Sequence, residues 1–254
     1  MLFKDQKFWV VGASEGIGFT LTQRLLAEGA QVVASSRSAT SHRALKSLAV
    51  DYIDTLHLLD IDVTSDESVK NATQLAWTVF DGLDVWFYNV GDYQSMQSQD
   101  WESNVFEQLS NVNYLGCTRL MCELMPKFSV QGHGRWVWNL SLASLMGLPY
   151  GGAYSAPKAA LLNLAESIQP ELNTQGINLH VINHGFVKTR LTDRNDFQMP
   201  DLLTAEQAAD HIMRHLTSKQ GFQWVFPKRL GSVLRLLRLL PYSWSLGLTK
   251  RLLK

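Results

Sequence analysis

The stretch VVGASEGIG, residues 10–18, follows an apolar run and opens a helix-like one. Its glycines, Gly12, Gly16 and Gly18, are spaced G-x-x-x-G-x-G. Glycine at a strand-to-helix turn allows a tight bend. It also lets a pyrophosphate come close to the backbone N–H groups of a helix N-terminus. Three glycines alone are weak evidence, because an ordinary turn can also be glycine-rich. Here the motif follows a buried-looking strand and precedes a helix near the chain start, and that context favours a dinucleotide-binding turn.

The rest of the chain repeats the same alternation. Strand-like segments are expected at 7–11, 31–35, 56–62, 83–89, 135–140, 177–183 and 223–226. Several are almost continuously apolar, as parallel strands buried on both faces should be. Helix-length stretches lie between them, at 16–28, 40–49, 66–80, 101–127, 154–174 and 204–217. Gly29 suits the stop of the first helix, and Thr204 with Gln207 reads as a capping box for the last. Alternation of this kind specifies an α/β fold with a doubly wound parallel sheet. No linker, repeat or low-complexity segment interrupts it. One domain is expected over 1–227, followed by an extension at 228–254.

Composition narrows the class. The chain has 254 residues, 46% apolar and 18% charged, enough for a large core without staples. Cys117 and Cys122 match no zinc spacing and cannot build a disulfide framework. They read as small apolar helix residues in a reducing compartment. The first residues lack a secretory layout, and no apolar run is long enough to span a membrane. A cytoplasmic protein is therefore expected. The charge sums to zero but is unevenly placed. Residues 228–254 hold seven bases and no acid, leaving 16 bases and 23 acids in residues 1–227.

With the glycine motif, this length and alternation resemble the roughly 250-residue branch of the short-chain dehydrogenases/reductases, over residues 6 to about 226. The resemblance implies a Rossmann-type fold and a nicotinamide cofactor held by Gly12, Ser14, Gly16, Ile17 and Gly18. It adds Asp62 and Val63 at the adenine, Asn89 and Gly91 from YNVG, and Gly185, Val187 and Thr189 after the sixth strand. Asp62 would equally serve as a turn residue capping the next helix. Tyr88, Val90 and His184 depart from the family pattern, the last replacing a proline; His184 reads as structural variation. A dinucleotide fold distinguishes NAD from NADP near the end of its second strand. No acid stands at Ser35 or Ser36 to bind a ribose 2′-OH. Arg37 follows, and its guanidinium suits a 2′-phosphate, with Ser36 adding a hydroxyl. Glu15 points the other way, since a carboxylate there repels phosphate. NADP(H) is thus favoured over NAD(H).

Tyr154 and Lys158 match the family's Y-x-x-x-K, Ser141 lies 13 residues before Tyr154, and Asn113 matches the family's helix asparagine. Reducing a ketone requires a hydride to carbon and a proton to oxygen. A phenol ionises near pH 10, and a neighbouring ammonium lowers that value. Residues i and i+4 share a helix face, so Tyr154 and Lys158 can share a site. Pro157 is expected in the first helical turn, where its missing N–H loses no partner. Tyr154 is then the general acid or base, and Ser141 hydrogen-bonds the reacting oxygen. By resemblance, Lys158 also holds the nicotinamide ribose and Asn113 positions a water that relays protons to Lys158. His211 and His215, with no third ligand, read as exposed helix residues, and no metal is expected. The segment 190–203 is the expected substrate lid, with Phe197, Met199 and Leu202 either contacting an apolar substrate or closing the core.

The expected function is hydride transfer between NADP(H) and a carbonyl or secondary alcohol, with a lipophilic small molecule as substrate. The alternative is a catalytically idle nicotinamide-binding regulatory or scaffold protein on the same fold. No nucleic-acid partner is expected. The resemblance also implies a homodimer or homotetramer built on the 101–127 and 154–174 helices. The extension has a broad apolar face, Val233, Leu234, Leu236, Leu237 and Leu240, flanked by Arg235 and Arg238 and stopped by Pro241. Such a helix suits an anionic membrane surface, the protein's own body or another subunit.

Overall fold

A computed structural model describes residues 1–194, 199–218 and 221–253. The first half runs β1 (Lys7–Val11), α1 (Gly16–Ala27), β2 (Gln31–Ser36), α2 (Arg43–Asp51), β3 (Leu56–Asp60), α3 (Asp66–Val79), β4 (Val85–Tyr88). Next come α4 (Ser103–Ser110), α5 (Gly116–Gln131), β5 (Gly134–Asn139), α6 (Gly152–Thr174), β6 (Ile177–His184), α7 (Ala205–Ser218) and β7 (Gln223–Phe226). The chain then forms α8 (Lys228–Leu239) and α9 (Tyr242–Thr249). The strands make one parallel sheet, ordered β3-β2-β1-β4-β5-β6-β7. Strand order reverses between β1 and β4, and a doubly wound sheet opens its binding crevice at the carboxyl ends of the strands there.

The period-two geometry of strands sorts side chains onto two faces. Trp9, Val11, Trp86, Tyr88, Trp136 and Trp138 lie on one, packed against α3, α5 and α6. Phe8, Val10, Val32, Ala34, Phe87 and Val137 lie on the other, packed against α1, α2 and α7. The tryptophans interlock edge to face, with Trp86 and Trp136 centroids 5.2 Å apart at 84°. Trp9 donates its indole N–H to Ser35 Oγ at 2.8 Å.

Local signals place the helix starts. Ser65 caps α3 by accepting from the Ser68 N–H at 3.2 Å. Thr204 and Gln207 exchange the two hydrogen bonds of a capping box ahead of α7. Three expectations need correction. The 101–127 segment is not one plain α-helix: α4 and α5 are joined through a π-helical turn at Asn111–Leu115. That turn inserts an extra residue just where Asn113 sits. The helix carrying Tyr154 begins earlier than its sequence suggests, at Gly152, so Pro157 falls in the second turn and not the first. There it withholds a hydrogen bond from the carbonyl four residues back. His211 and His215 are half-buried, not exposed, and stack on Phe226 and Trp224 with centroids 4.7 and 4.9 Å apart. Of the two cysteines, Cys117 is buried in the core while Cys122 is exposed on α5.

Candidate active site

One cleft of about 1490 Å³ opens over the carboxyl ends of the strands. Its floor begins with the turn after β1. Gly12 has φ +92° and Gly16 φ +53°, backbone conformations that L side chains rarely adopt. A Cβ on Gly12 would stand 2.9 Å from the Asn89 carbonyl group, and one on Gly16 would meet the Thr189 methyl at 2.8 Å. Gly12, Ser14, Gly16 and Ile17 all line the cleft. Gly18 does not. A Cβ there would lie 2.0 Å from the Gly12 carbonyl oxygen, so this glycine lets α1 pack against the turn beneath the cleft.

The ends of β2 and β3 contribute Ser36, Arg37, Asp62 and Val63. Asp62 is tied into its own turn, accepting from the Thr64 N–H at 2.9 Å and its hydroxyl at 2.7 Å. Those bonds hold its carboxyl below the usual range, with smaller help from Arg37 and Arg119. Glu15, whose charge opposes a phosphate, pairs with Arg190 at 3.1 Å across the rim. Both side chains are more than half exposed, so the pair is screened. Asn89 and Gly91 follow β4 into the cleft. Asn89 donates to the Gly12 carbonyl at 2.9 Å and accepts from Asn139 Nδ2 at 2.7 Å, which locks the β1 turn to β4 and β5. Tyr88 points away from the cleft. It is fully buried, and its hydroxyl donates to the Val112 carbonyl at 3.0 Å, holding the π-helical turn in place.

The loop after β6 completes the wall with Gly185, Val187 and Thr189. Thr192 braces it by donating to the Val187 carbonyl at 2.8 Å and accepting from the Thr189 N–H at 2.9 Å. His184 also lines the cleft. Burial pulls its imidazole down to about 4, so the ring is neutral, and it lies against Phe226. Of the expected lid, Leu191 and Pro200 face the cleft, Leu202 is exposed, and Phe197 lies outside the described residues.

Ser141, Tyr154 and Lys158 face this same cleft. Ser141 starts a short 3₁₀ turn after β5, where its Oγ accepts from the Ala143 N–H at 3.2 Å. Asn183 donates to the Ser141 carbonyl at 2.8 Å and fixes its backbone. Lys158 is 2% exposed, with Nζ 3.5 Å from the carbonyls of Val90 and Asn139 and 5.8 Å from the centroid of the Tyr154 ring. Tyr93 stands edge-on to Tyr154, centroids 5.2 Å apart. Asn113 is fully buried behind the cleft and does not line it. Its side chain accepts from the Asp92 N–H at 3.1 Å and donates to the Asp92 carbonyl at 2.9 Å. A Cβ on Gly91 would sit 3.3 Å from Asn113 Oδ1 and 3.5 Å from Lys158 Nζ, close enough to crowd the asparagine.

The titration of the pair differs from the simple expectation. Burial raises the Tyr154 phenol to about 12, against an opposing hydrogen bond from Ser141. Burial likewise lowers the Lys158 ammonium to about 8. Desolvation, and not the ammonium, governs the tyrosine in this state. Sequence reasoning missed three contributors. Asn139 lies at a strand end with no motif around it. Tyr93 sits in a loop beyond the YNVG stretch. The third is the C-terminal extension: Leu230, Val233, Leu234, Leu237, Leu248 and Leu252 line the outer part of the cleft. Its amphipathic pattern was visible, but nothing in the sequence told which surface it would meet.

A crevice at the strand-order reversal, floored by a glycine turn and carrying a serine, a tyrosine and a lysine, is the arrangement of a nucleotide-dependent oxidoreductase. The chain matches the short chain dehydrogenase family over residues 6–199, and it belongs to that family. It is 31% identical over 209 residues to an oxidoreductase of Staphylococcus haemolyticus, covering 82% of this chain and 89% of that one. It is 29% identical over 232 residues to an oxidoreductase of Myxococcus xanthus, covering 89% and 91%. In fold it resembles a short chain dehydrogenase of Burkholderia cenocepacia in complex with NADP, with TM-score 0.83, 22% identity and 100% coverage of both chains. It also resembles one of Burkholderia phymatum in complex with NAD, with TM-score 0.82, 18% identity and coverage of 93% and 94%. The protein is thus an oxidoreductase of the nicotinamide-dependent short-chain type.

Proposed function

We propose that the protein interconverts a lipophilic ketone and its secondary alcohol using NADP(H), with Tyr154 as the proton donor and acceptor. The observation that carries this reading is the convergence of Ser141, Tyr154 and Lys158 on one cleft with the glycine turn. Gly12 and Gly16 hold positive φ with no room for a Cβ beside Asn89 and Thr189, so the turn after β1 runs tightly along the cleft floor into a helix N-terminus, which supports a pyrophosphate site there. Gly185, Val187, Thr189, Asp62 and Val63 all line the cleft, and by resemblance to the family the first three would hold the nicotinamide end and the last two the adenine. When bound, the nicotinamide supplies or takes the hydride. Tyr154 donates its phenolic proton to the carbonyl oxygen, and Ser141 hydrogen-bonds that oxygen as charge grows on it. A phenol held at about 12 is fully protonated at neutral pH, the form that donates. Lys158 lies buried beside the phenol, where its charge favours the phenolate left after donation.

NADP(H) preference rests on Arg37 at the cleft edge, on the missing acid at Ser35 and Ser36, and on Glu15 being engaged by Arg190. The apolar outer wall supports a lipophilic substrate. Assembly as a homodimer or homotetramer through the 101–127 and 154–174 helices goes with this reading, as does a cytoplasmic protein with peripheral membrane contact. A panel of ketones and alcohols, run with both cofactor pairs, tests it. Tyr154→Phe should abolish turnover of every accepted substrate while cofactor binding, read by fluorescence titration, persists. Turnover surviving in Tyr154→Phe would overturn the mechanism.

A further inference from the structure

The C-terminal helices present two unlike surfaces. Residues two apart on a helix point to nearly opposite sides. On α8, Leu234 and Leu237 turn inward against Leu142, Met146 and Leu148. Leu236 and Leu239, at 61% and 82% exposure, turn outward. On α9, Ser245 and Thr249 are buried, whereas Tyr242, Trp244 and Leu246 are 67%, 66% and 56% exposed. On α9, Ser245 and Thr249 thus pack inward while Tyr242, Trp244 and Leu246 stand outward, an arrangement a helix made only to sit on its own body would not take. Arg229, Arg238, Lys250 and Arg251 of the same segment are exposed as well.

The same segment bounds the mouth of the cleft. Val233, Leu248 and Leu252 line the cleft and are also 49%, 41% and 57% exposed. Exposed apolar side chains therefore stand both at the mouth of the cleft and on the outside of the same C-terminal segment. We propose that this surface docks on an anionic lipid bilayer, and that the cleft draws a long-chain carbonyl or alcohol substrate from that bilayer through the mouth at Val233, Leu248 and Leu252. The substrate half of the inference rests on the oxidoreductase reading above; the docking half specifies the peripheral membrane contact proposed there and stands without the chemistry.

Charge selects the occupant. A second copy pairing through the same patch would set Arg229, Arg238, Lys250 and Arg251 against their own counterparts, in a segment that holds no acid. A nucleic acid would meet the bases but leave the tryptophan and leucines unburied. A bilayer with anionic headgroups satisfies both, taking apolar side chains into the acyl boundary and bases among the phosphates. Among the described residues no helix is long and apolar enough to cross a membrane, so the segment lies on the surface.

The test is flotation of the full chain with phosphatidylcholine vesicles, with and without phosphatidylglycerol. Wild type should float with the anionic vesicles, lose binding at high salt, and stay behind with neutral ones. Two triple variants probe the patch without touching the cleft: Arg229→Glu/Arg238→Glu/Arg251→Glu and Leu239→Ser/Trp244→Ser/Leu246→Ser. Each should weaken anionic partitioning at least about tenfold, with an unchanged melting curve. Each should also raise KM for a vesicle-embedded long-chain ketone while sparing a short soluble ketone. Absence of wild-type binding, or binding by both variants as strong as the wild type's, would overturn the docking. So would variants whose only effect is to dissociate an oligomer in light scattering, which would give the patch to a second copy. An unchanged KM for the embedded ketone would overturn delivery from the bilayer. Turnover of neither ketone would count against the substrate reading, with flotation still deciding the docking.

Discussion

Lys158 should destabilise the fold it serves. It is 2% exposed, and its Nζ reaches two carbonyls at 3.5 Å, long for hydrogen bonds. Burial lowers its ammonium from 10.5 to about 8. At about 1.4 kcal/mol per pKa unit, a charged Lys158 costs the folded state roughly 3 kcal/mol. Between these two values the unfolded chain carries a proton on this group that the folded protein lacks. Wild-type stability from this group therefore rises with pH across that window and is lowest below 8. Lys158→Met removes the charge and keeps the volume, at the loss of two weak bonds of about 0.5–1 kcal/mol each. The variant should thus be more stable at neutral pH by about 1–3 kcal/mol, and inactive. The gap should close as pH approaches 10.5, the lysine's ordinary value. Tyr154 does not disturb the comparison. Its raised phenol makes the unfolded chain lose a proton first above 10, weakening both proteins alike. Urea unfolding of the cofactor-free proteins, followed by tryptophan fluorescence at several pH values, reads the gap. A variant less stable at neutral pH, or a gap that does not change with pH, would refute the assignment of burial as the dominant effect.

Two other perturbations test the cleft. Arg37→Ala should weaken NADPH binding roughly 10–100-fold, the worth of one charge-assisted contact to phosphate, and leave NADH unchanged; equal effects on both cofactors would remove Arg37 from the 2′-phosphate. Gly18→Ala places a Cβ 2.0 Å from the Gly12 carbonyl oxygen. Overpacking of this kind costs about 1–3 kcal/mol, which for a chain this long lowers Tm by roughly 2–12 °C. A thermal melt with no change would show that α1 can slide away from the turn.

The fold was legible because its signals are local and repeated. Seven strands and their helices each announce themselves by apolar runs, and Thr204 with Gln207 marks a helix start outright. The cleft residues were legible where spacing carries meaning, as with Ser141, Tyr154 and Lys158 placed by β5 and α6. What stayed hidden depends on packing between distant segments. The π-helical turn at Asn113 is held by Tyr88 from another element, and no helix periodicity reveals it. Tyr88 itself looked like a defect in a motif, yet it faces α5 and never meets the cleft. The titration of Tyr154 follows from burial, which spacing does not report. The tail was split in a way its composition concealed: one helix gives Leu234 to the body and Leu236 to the outside.

That split makes the tail testable as part of the site through a single residue. Gly231 is a buried residue of α8 packed against the sheet. A Cβ there would meet Val225 Cγ1 of β7 at 2.3 Å and Leu142 Cδ2 at 3.5 Å. Leu142 directly follows Ser141 and belongs to the cluster that seats Leu234. Gly231→Ala should therefore push α8 away from Val225, or else press Val225 and the Leu142 turn behind it out of place. If α8 gives way, the outer wall at Val233 and Leu237 shifts while Ser141 keeps its place. KM for a lipophilic ketone then rises several-fold, and kcat for a small ketone holds. If the turn gives way, Ser141 moves and kcat falls for both. Val225 sits in a parallel ladder paired with Asn183, which also fixes the Ser141 backbone. The strand and the serine are thus braced together, whereas α8 has open space on its far side. The helix should be what moves, so steady-state kinetics of Gly231→Ala should show the KM effect. A fall in kcat for the small ketone would refute this assignment of the flexible partner.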